Sequence, residues 1–535
     1  MALSAGEEIA VGIWQTKVRR LLDEIGWADE VVASRLFVGG AVLAISAPID
    51  SLYTATEVNE WAWDSTEAVL TGGEEPASLK ETAERLLVEM GWEANPELLA
   101  LRDAAAARGV AFLFDQHRAS VGLGTGSLAW PVEDLPDPEA VDWGAVHDIP
   151  VVMVTGTNGK TTTVRLLASM VSAAGKAAGT TSTDRIEVAG EVLDEGDYSG
   201  PGGARTLLRD RRVEVAILET ARGGILRRGL AVDRAKAALI TNISADHLGE
   251  FGVHDLPSLA SAKLVVTRVV EPGGRVVLNA DDSELVAAAG RIAAPVTWFS
   301  LDAANPHIRE SLAADGEACF LEEGALVLAR GGEQIVVARV EEVPITFGGA
   351  ARHNVANALG AIGLAAALEL PVEAMAAGLR QVAGTPEDNP GRANLIERNG
   401  VHILVDYAHN PEGLLALLNI ARSLPAERRL MVIGQAGDRS ESAIRDLART
   451  AWGLRPDRVI VKEMVELLRG RPAGEVPALL VDELLRLGAR PESVTQAGSE
   501  LEAVRDALAW ARPGDLLVLL VHAQRDEVLA MVRGA

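Results

Sequence analysis

Short apolar runs alternate with stretches of helical spacing along most of the chain. From about residue 148, β-branched runs such as "VEVAILET", "AALITNIS" and "GRVVLNA" alternate with alanine-rich stretches. This alternation is typical of a buried parallel sheet flanked by helices. A second such series begins near residue 393 with "HILVDYA", "RLMVIGQAGD", "DRVIVKE" and "GDLLVLLVHA". Between the two series, "GTPEDNPGR" is dense in turn-forming residues, so we place a boundary near residue 386.

One glycine-rich turn joins a predicted strand to a predicted helix, in "VVMVTGTNGKTTTVRLLASM" at residues 151–170. Such a loop directs backbone N–H groups and a helix dipole at a phosphate, while Lys160 reaches the terminal phosphates and Thr161 offers a hydroxyl to Mg²⁺. One position departs from the full P-loop pattern, since Val154 stands where the first glycine is expected. The alternative, a glycine turn with a surface lysine, fits the flanking strand and helix less well.

The region before this loop has its own composition, because seven of the ten tryptophans lie in the first 143 residues. They either fill a small core or present exposed rings to an acceptor. The segment "DLPDPEAVDWGAVHDIP" is proline-rich and acidic, and it predicts a linker. We therefore predict an α/β chain of three domains. They are a small N-terminal α/β domain with its linker (1–147), a central P-loop domain with a parallel sheet and flanking helices (148–385), and a C-terminal Rossmann-like domain (386–535).

Composition narrows the class of partner. The chain of 535 residues has 76 acidic and 50 basic residues and a net charge of −26, which disfavours nucleic acid and anionic membranes. Cys319 is the only cysteine, which excludes an intrachain disulfide and a cysteine-based zinc site. The first residues lack a basic signal segment, and no uninterrupted apolar run approaches about 18 residues. We expect a cytoplasmic protein.

Polar residues follow two further strands, in "ILETARGGILRRGL" and "LITNISADHLGEFG". At the carboxyl edge of a parallel sheet, Glu219 would join Thr161 around Mg²⁺, and His247 would hold a second ion as neutral imidazole. A satisfied structural histidine is the alternative for His247. The stretch also holds three arginines that either clamp a carboxylate or phosphoryl oxygen or form a solvated basic turn. They are Arg222, Arg227 and Arg228.

The motifs from about 148 to 535 resemble, in order, those of the Mur ligases, ATP-dependent enzymes that join a carboxylate to an amine. They are "TGTNGKTT", "ET" before a glycine run, "TNISADHLG", "VVLNADDS", "ARHNVANALGAIGLA", "PGRANLIE", "VDYAHNPEG" and "GDRS". Within the family, "EGDYSGPGGARTLLRD", "LETARGGILRRGL" and "VKEMVELLRGRPAGEV" are similar to the Mur-like half of cyanophycin synthetase.

The resemblance implies ATP, two Mg²⁺ ions and a role for each matching residue. The phosphate loop would comprise Gly156, Thr157, Asn158, Gly159, Lys160, Thr161 and Thr162. Arg392 would face the phosphates and Asp406 the ribose, and the segment near adenine would hold His353, Asn354 and Asn357. Lys263, if carbamylated, would help to hold the second Mg²⁺ and would act with Lys160, Glu219, His247 and Arg392 in catalysis. The residues expected to close over the nucleotide and the amino acid are His409, Asn410, Asp438 and Arg439.

The resemblance also implies the reaction: an ADP-forming ligase that attaches an amino acid, with arginine as a candidate, to a carboxylate of a peptide-like acceptor. Two alternatives stay open. One is a ligase that extends a glutamate chain or builds a cell-wall precursor, and the other is a non-catalytic nucleotide-binding partner of an ATP-grasp enzyme. Cyanophycin synthetase also carries an ATP-grasp domain. The residues before the loop are too few for it, so we expect one ligation and a separate ATP-grasp enzyme as a candidate partner.

Overall fold

A computed structural model describes residues 5–74, 76–246, 248–385 and 389–534. The chain forms two compact units. The first contains Met1–Ile149, Leu208–Arg211 and Leu248–Ser258, and the second contains Pro150–Leu207, Arg212–His247 and Leu259–Ala535. Among the helices in the described ranges, none combines the length and the apolar character that crossing a membrane requires.

The first unit is built from helices and two small antiparallel sheets, one pairing β1 with β2 and the other ordered β3-β4-β5 once the elements are numbered along the chain. These elements are α1 (Ala5–Glu24), β1 (Val32–Phe37), β2 (Gly40–Ile45), α2 (Leu52–Thr71), α3 (Leu79–Glu93), α4 (Pro96–Ala107), β3 (Phe112–Phe114), β4 (Arg118–Val121) and β5 (Leu128–Pro131). Helix starts carry the expected caps: the side chain of Ser78 accepts from the Glu81 N–H in a capping box.

Five of the seven tryptophans of this unit, those from Trp14 to Trp92, divide into two groups. Trp14, Trp27 and Trp61 are 0%, 6% and 9% exposed and lie in one core with residues of α1, α2 and α3. Trp63 and Trp92 on α2 and α3 are 44% and 80% exposed. Core packing therefore accounts for three of the rings, as area burial favours, and leaves two at the surface.

The predicted linker is a packed part of the first unit, which corrects that interpretation. Val141 and Val146 are buried in a small core with Leu101 and Val121. The indole N–H of Trp143 donates to the Pro138 carbonyl over 2.8 Å. The prolines and acids of the segment mark turns, while its spaced apolar residues supply the burial that a free linker lacks.

The second unit begins with a large sheet and its flanking helices. Its strands are β6 (Val151–Thr155), β7 (Ala178–Thr181), β8 (Arg185–Val188), β9 (Glu191–Glu195), β10 (Val215–Glu219), β11 (Ala235–Ile240), β12 (Val270–Asn279), β13 (Val296–Ser300), β14 (Glu317–Glu322), β15 (Ala325–Arg330) and β16 (Glu333–Arg339). Its helices are α5 (Lys160–Ala173), α6 (Pro201–Leu208), α7 (Arg222–Arg228), α8 (Leu256–Lys263), α9 (Ser283–Ala288), α10 (Pro306–Ala313), α11 (Arg352–Ala367) and α12 (Val372–Gln381).

The order of this sheet is β16-β15-β14-β13-β12-β11-β6-β10-β7-β8-β9. The predicted parallel core is confirmed from β14 to β7, where each neighbouring pair is parallel. Both edges end in antiparallel hairpins that the prediction of a parallel sheet did not include. Two-residue turns such as Gly331–Gly332 explain them, because so short a connection only joins antiparallel strands.

A second sheet, ordered β17-β18-β22-β19-β20-β21, forms the end of the chain and is parallel except for β17. Its elements are β17 (Asn394–Arg398), β18 (Val401–Asp406), α13 (Pro411–Ser423), β19 (Arg429–Ile433), α14 (Glu441–Trp452), β20 (Arg458–Lys462), α15 (Glu475–Arg486), β21 (Val494–Ala497), α16 (Glu500–Trp510), β22 (Leu516–Leu520) and α17 (Arg525–Arg533). The sheet has the predicted α/β character. The boundary predicted near residue 386 lies at 386–388, outside the described residues.

Candidate active site

The glycine-rich loop leaves the middle of the large sheet, since β6 lies between β10 and β11. Gly156 has φ +146°, and a Cβ there would meet the Thr241 hydroxyl oxygen at 1.8 Å. Gly159 has φ +84°, and a Cβ there would lie 2.2 Å from the side-chain oxygen of Asn357. Only glycine fits these two positions. Val154 is buried within β6, so the turn begins only at Gly156. The position where the P-loop pattern expects its first glycine is therefore part of the strand, where valine fits.

The loop is held by the residues that follow β11. The N–H of Thr157 donates to the Asn242 carbonyl at 3.0 Å, and the N–H of Asn158 donates to the Asn242 side chain at 2.9 Å. The Thr241 hydroxyl donates to the Asn158 carbonyl at 2.6 Å. Sequence reasoning gave Thr241 and Asn242 no role, although their position directly after a strand was a usable signal.

Two lysines converge on one backbone oxygen of this loop. The ammonium of Lys160 donates to the carbonyls of Gly156 and Thr157 at 3.2 and 3.0 Å. Lys263, the last residue of α8, is buried and donates to the same Gly156 carbonyl at 2.7 Å. Burial and the charges of Lys160 and Arg222 lower the pKa of Lys263 well below its ordinary value. The amine is therefore predisposed to the neutral, nucleophilic form.

A buried carboxylate lies beside the start of α5. One oxygen of Glu219, at the end of β10, accepts from the Thr161 hydroxyl at 2.8 Å. The other oxygen is buried, and no described residue hydrogen-bonds to it. Burial raises the pKa of Glu219, while Lys160 and Thr161 oppose the shift. A carboxylate oxygen without a partner next to a hydroxyl is chemically suited to a hard cation such as Mg²⁺.

The described ranges contain no group of three or more His, Cys, Asp or Glu side chains arranged to hold a metal. His247, the predicted ligand of a second ion, lies outside those ranges. Thr161 and Glu219 would offer a magnesium ion two oxygen ligands, and Mg²⁺ commonly completes its coordination with water and phosphate.

The start of α11 approaches the loop. Its His353 is buried, its Nδ1 has no hydrogen-bond partner among the described residues, and burial lowers its pKa to about 4. The side-chain amide of Asn354 donates to the Ile345 carbonyl at 2.8 Å, and that of Asn357 donates to the Asn354 side chain at 3.2 Å. The structure thus brings Asn357 to Gly159 and leaves a neutral imidazole nitrogen without a partner nearby in the helix.

Asp406 and Arg392 meet at the start of the second sheet. Each carboxylate oxygen of Asp406 accepts a backbone N–H at 2.6 Å, one from Ala393 and one from Ala408. Burial raises the pKa of Asp406, and the Arg392 guanidinium opposes that shift. The same guanidinium stacks over Tyr407, with 4.8 Å to the ring centroid.

The four residues predicted to close over the substrates lie around Asp246 and the loop. The Nε2 of His409 is 3.1 Å from one oxygen of Asp246, and the guanidinium of Arg439 is 3.3 Å from the other. Asn410 donates to the Asn158 side chain at 3.1 Å and also caps α13. Asp438 pairs with Arg439 at 3.4 Å and with Arg469. The second sheet therefore contacts the loop within one compact unit.

A carboxylate that sequence reasoning missed joins distant parts of this unit. Asp184 follows β7 and pairs with Arg165 at 2.9 Å and with Arg525 at 3.0 Å. Arg165 also donates to the Asn389 side chain at 2.6 Å. Burial would raise the pKa of Asp184, but Arg392, Arg165 and Arg525 outweigh it and lower that pKa. Because Arg525 is 341 residues away in sequence, no local motif could reveal the cluster.

The three arginines of the glycine-arginine stretch differ in environment. Arg222 begins α7 and is 8% exposed. Arg227 and Arg228 are exposed, and the Arg227 side chain bonds the Gly223 carbonyl of its own helix at 3.2 Å. A role for them in binding a substrate stays a prediction.

The fold defines an α/β chain with a glycine-rich loop at the middle of its large sheet, and comparison with known proteins specifies the class. The model of the Mur ligase middle domain matches residues 154–365, and that of the Mur ligase glutamate ligase domain matches residues 391–521. A UDP-N-acetylmuramoyl-L-alanyl-D-glutamate–2,6-diaminopimelate ligase of Corynebacterium efficiens is 30% identical over 72% of this chain and 71% of its own length. The chain belongs to the Mur ligase family.

Within that family, the chain is similar to cyanophycin synthetases. That of Synechocystis sp. is 41% identical over 67% of this chain, and that of Crocosphaera subtropica is 37% identical over 76%. The chain spans 40% and 46% of their lengths. Among solved structures, Escherichia coli FolC with DHPP and ADP has a TM-score of 0.55 at 22% identity, covering 72% of this chain and 89% of that one. This last likeness concerns the fold.

Proposed function

We propose that the chain is an ATP-dependent carboxylate–amine ligase that forms an amide bond and releases ADP and phosphate. The observation that carries the proposal is a buried oxygen of Glu219 that has no hydrogen-bond partner among the described residues and lies beside Thr161, next to the glycine loop and Lys160. Such a site accommodates a cation and a polyphosphate together. Family membership supports the same reaction class, since several relatives bear ligase names.

Each part of the site takes one task in this proposal. The loop amides and Lys160 would bind the β and γ phosphates, and Thr161 with Glu219 would hold Mg²⁺, which would supply positive charge to neutralise the phosphates. Arg392 faces the phosphates, and Asp406 accepts from the ribose with its remaining lone pairs. The adenine lies near the first turn of α11, with its residues His353, Asn354 and Asn357. The incoming amino acid lies near His409 and Arg439.

The chemistry explains why the site presents cations rather than a nucleophile. A carboxylate is a poor acyl donor, so one of its oxygens first attacks the γ-phosphorus of ATP and ADP leaves. The amine nitrogen then attacks the acyl carbon, the C–O bond to phosphate breaks, and the amine loses a proton. Lysine and arginine charges stabilise both steps by electrostatics and positioning. Cys319 is buried in β14, where burial raises its thiol pKa well above the ordinary value, and it takes no part.

For the substrates, we infer an amino acid, with arginine as the first candidate, and a peptide-like carboxylate acceptor. The similarity to cyanophycin synthetases supports this choice over a glutamate-chain or cell-wall ligase. A separate ATP-grasp enzyme that makes the acceptor is the partner that this proposal calls for.

Substrate-dependent ADP release tests the proposal. The full chain is assayed with Mg²⁺ and ATP against each amino acid, combined with short aspartate peptides, glutamate peptides or a cell-wall precursor. We expect release that requires both an amine and an acceptor, and that disappears in Lys160→Ala. ADP release that occurs with the cell-wall precursor and with no other acceptor would indicate a cell-wall ligase. No substrate-dependent release in a folded chain that binds ATP would instead indicate a non-catalytic nucleotide-binding partner.

A further inference from the structure

A buried ionic cluster lies at the carboxyl ends of β20 and β22 in the second sheet and has no task in the proposed reaction. Lys462 ends β20, and its side chain is fully buried. Its ammonium contacts the carboxylate of Glu500, the Leu520 carbonyl at 2.6 Å and the Nδ1 of His522 at 3.1 Å. An ammonium has three N–H donors, so these three acceptors satisfy it completely.

Glu500 ties the cluster to the backbone that precedes α17. One oxygen accepts the N–H of His522 at 2.8 Å, and the other accepts those of Ala523 and Gln524 at 3.2 and 2.8 Å. Burial opposes ionisation of this carboxyl group, but Lys462 and these amides outweigh it and hold the pKa of Glu500 below its ordinary value. The cluster is therefore an ion pair with fixed hydrogen bonds.

The contacts of His522 fix its tautomer. Because Nδ1 accepts from Lys462, the ring proton is on Nε2, which donates to the Ala408 carbonyl at 3.1 Å. Burial and the charge of Lys462 lower the pKa of His522 well below its ordinary value, so the ring is neutral. With both nitrogens engaged, neither the tautomer nor the ring orientation is free to change.

Ala408 lies in the turn 407–410, which leads to the candidate site. The Tyr407 ring packs edge-on against His522 and His409, with centroid distances of 5.3 and 5.4 Å, and carries Arg392 on its face. His409 reaches Asp246 from the same turn. A shift of the Ala408 carbonyl would therefore displace both His409 and the support of Arg392.

We propose that Lys462 is a positioning residue: its hydrogen bond sets the Nε2–H tautomer of His522, and that ring anchors the turn 407–410 that presents His409 and Arg392. This inference rests on the proposed function for the roles of those two residues. It assigns the cluster a task beyond stability. An ion pair that only stabilised the fold could be replaced by uncharged side chains of similar volume without loss of turnover.

Two variants separate positioning from stability. Lys462→Met removes the donor to His522, and Lys462→Met with Glu500→Gln removes both charges of the pair. We expect the double variant to regain part of the melting temperature that the single variant loses, because it removes the unpaired charge but leaves at least one backbone N–H of residues 522–524 without its acceptor, while kcat stays about tenfold or more below wild type in both. Arg458→Met, at the other end of β20, is the matched control and keeps kcat. Recovery of both melting temperature and kcat in the double variant would overturn the proposal.

Histidine ¹⁵N NMR of the full chain decides the question independently of turnover, with His522→Gln and His409→Gln to assign the signals. Wild-type His522 should show the neutral Nε2–H tautomer from pH 6 to 8, and Lys462→Met should shift the signals of both His522 and His409. An unchanged His409 signal would refute positioning even if His522 changes. If wild-type protein turns over no substrate, the ligase proposal fails, and this spectrum still decides the role of Lys462.

Discussion

The two buried lysines of the second unit differ in how completely they are paired. Lys462 donates to three acceptors, including a carboxylate. Lys263 donates one hydrogen bond among the described residues, to the Gly156 carbonyl, and the charges of Lys160 and Arg222 lower its pKa while that of Asp246 opposes them. A buried charge is costly unless it is paired. The fully hydrogen-bonded lysine therefore belongs to the framework, whereas Lys263 has no carboxylate among its hydrogen-bond partners in the described residues.

Two carboxylates repeat this contrast. Asp184 is paired with two arginines, and its pKa is lowered. Glu219 has one oxygen without a partner among the described residues, and its pKa is raised. The two incompletely paired groups thus contact the glycine loop or the first turn of α5, Lys263 through the Gly156 carbonyl and Glu219 through the Thr161 hydroxyl. Incomplete pairing of these two charged groups at the loop agrees with a ligand-binding role for this part of the unit.

The largest expected effect is that of Lys160→Ala, which removes the loop's own cation. Substrate-dependent ADP release should fall at least about 100-fold, because the charge that offsets phosphate charge is lost. The melting temperature should change little, since the side chain is only partly buried. Lys176→Ala, an exposed lysine just beyond the same helix, is the control. A folded Lys160→Ala protein with substantial turnover would refute the phosphate loop.

Lys263→Ala tests the incompletely paired lysine. If Lys263 carries a carbamate that supplies anionic oxygen to a metal, the variant should lose about tenfold or more of its turnover, and millimolar acetate should restore part of it. The lowered pKa favours the reaction with CO₂, because only a neutral amine reacts. Spectra with ¹³C-bicarbonate should show a carbamate carbon in wild type and none in the variant. Loss of turnover without rescue would favour an uncarbamylated lysine that acts by its charge.

How much of this contrast the sequence could reveal depends on the distance between partners. The strand-loop-helix around Lys160 and the strand end at Glu219 were predictable, because short-range apolar patterns place them. A role for Thr241 and Asn242, which hydrogen-bond to the glycine loop, could also have been predicted, since they directly follow a strand. The partners of Asp184 and Lys462 were not, because they come from elements far apart in the chain. Pairing of a buried charge is a tertiary property, so local patterns could not show that Lys462 is fully paired, and Lys263 was singled out only through the family resemblance.

Asp184→Asn tests the paired carboxylate and should reduce the free energy of unfolding by about 2 kcal/mol at pH 7, since it leaves two arginines without their shared anion. The folded pKa is below the ordinary 3.8, so the wild-type advantage is complete above pH 3.8 and is lost as the pH falls through the folded pKa. Urea unfolding at several pH values measures the difference. Asp233→Asn, on an exposed aspartate, is the control and should have no effect.

Glu219→Gln should raise the free energy of unfolding, whereas Asp184→Asn lowers it, and the change should be the smallest of those predicted. Since burial raises the folded pKa of Glu219 above the ordinary 4.5, the wild-type protein loses stability as the pH rises from 4.5 through that folded pKa. The amide avoids this cost, so without metal and nucleotide the variant should be about 1 kcal/mol more stable at pH 8, with little difference near pH 4.5. Turnover should nevertheless fall, because the carboxylate that would hold Mg²⁺ is gone.

The matched control is Glu317→Gln, which alters a carboxylate that is equally buried but paired with Arg330 and Thr297. It should lower stability at pH 8, where Glu219→Gln raises it. Urea unfolding in EDTA at pH 8 and pH 5 compares the two variants. If Glu219→Gln is no more stable than wild type at pH 8, the free oxygen of Glu219 carries no cost, and the contrast between paired and unpaired charges ceases to mark the site.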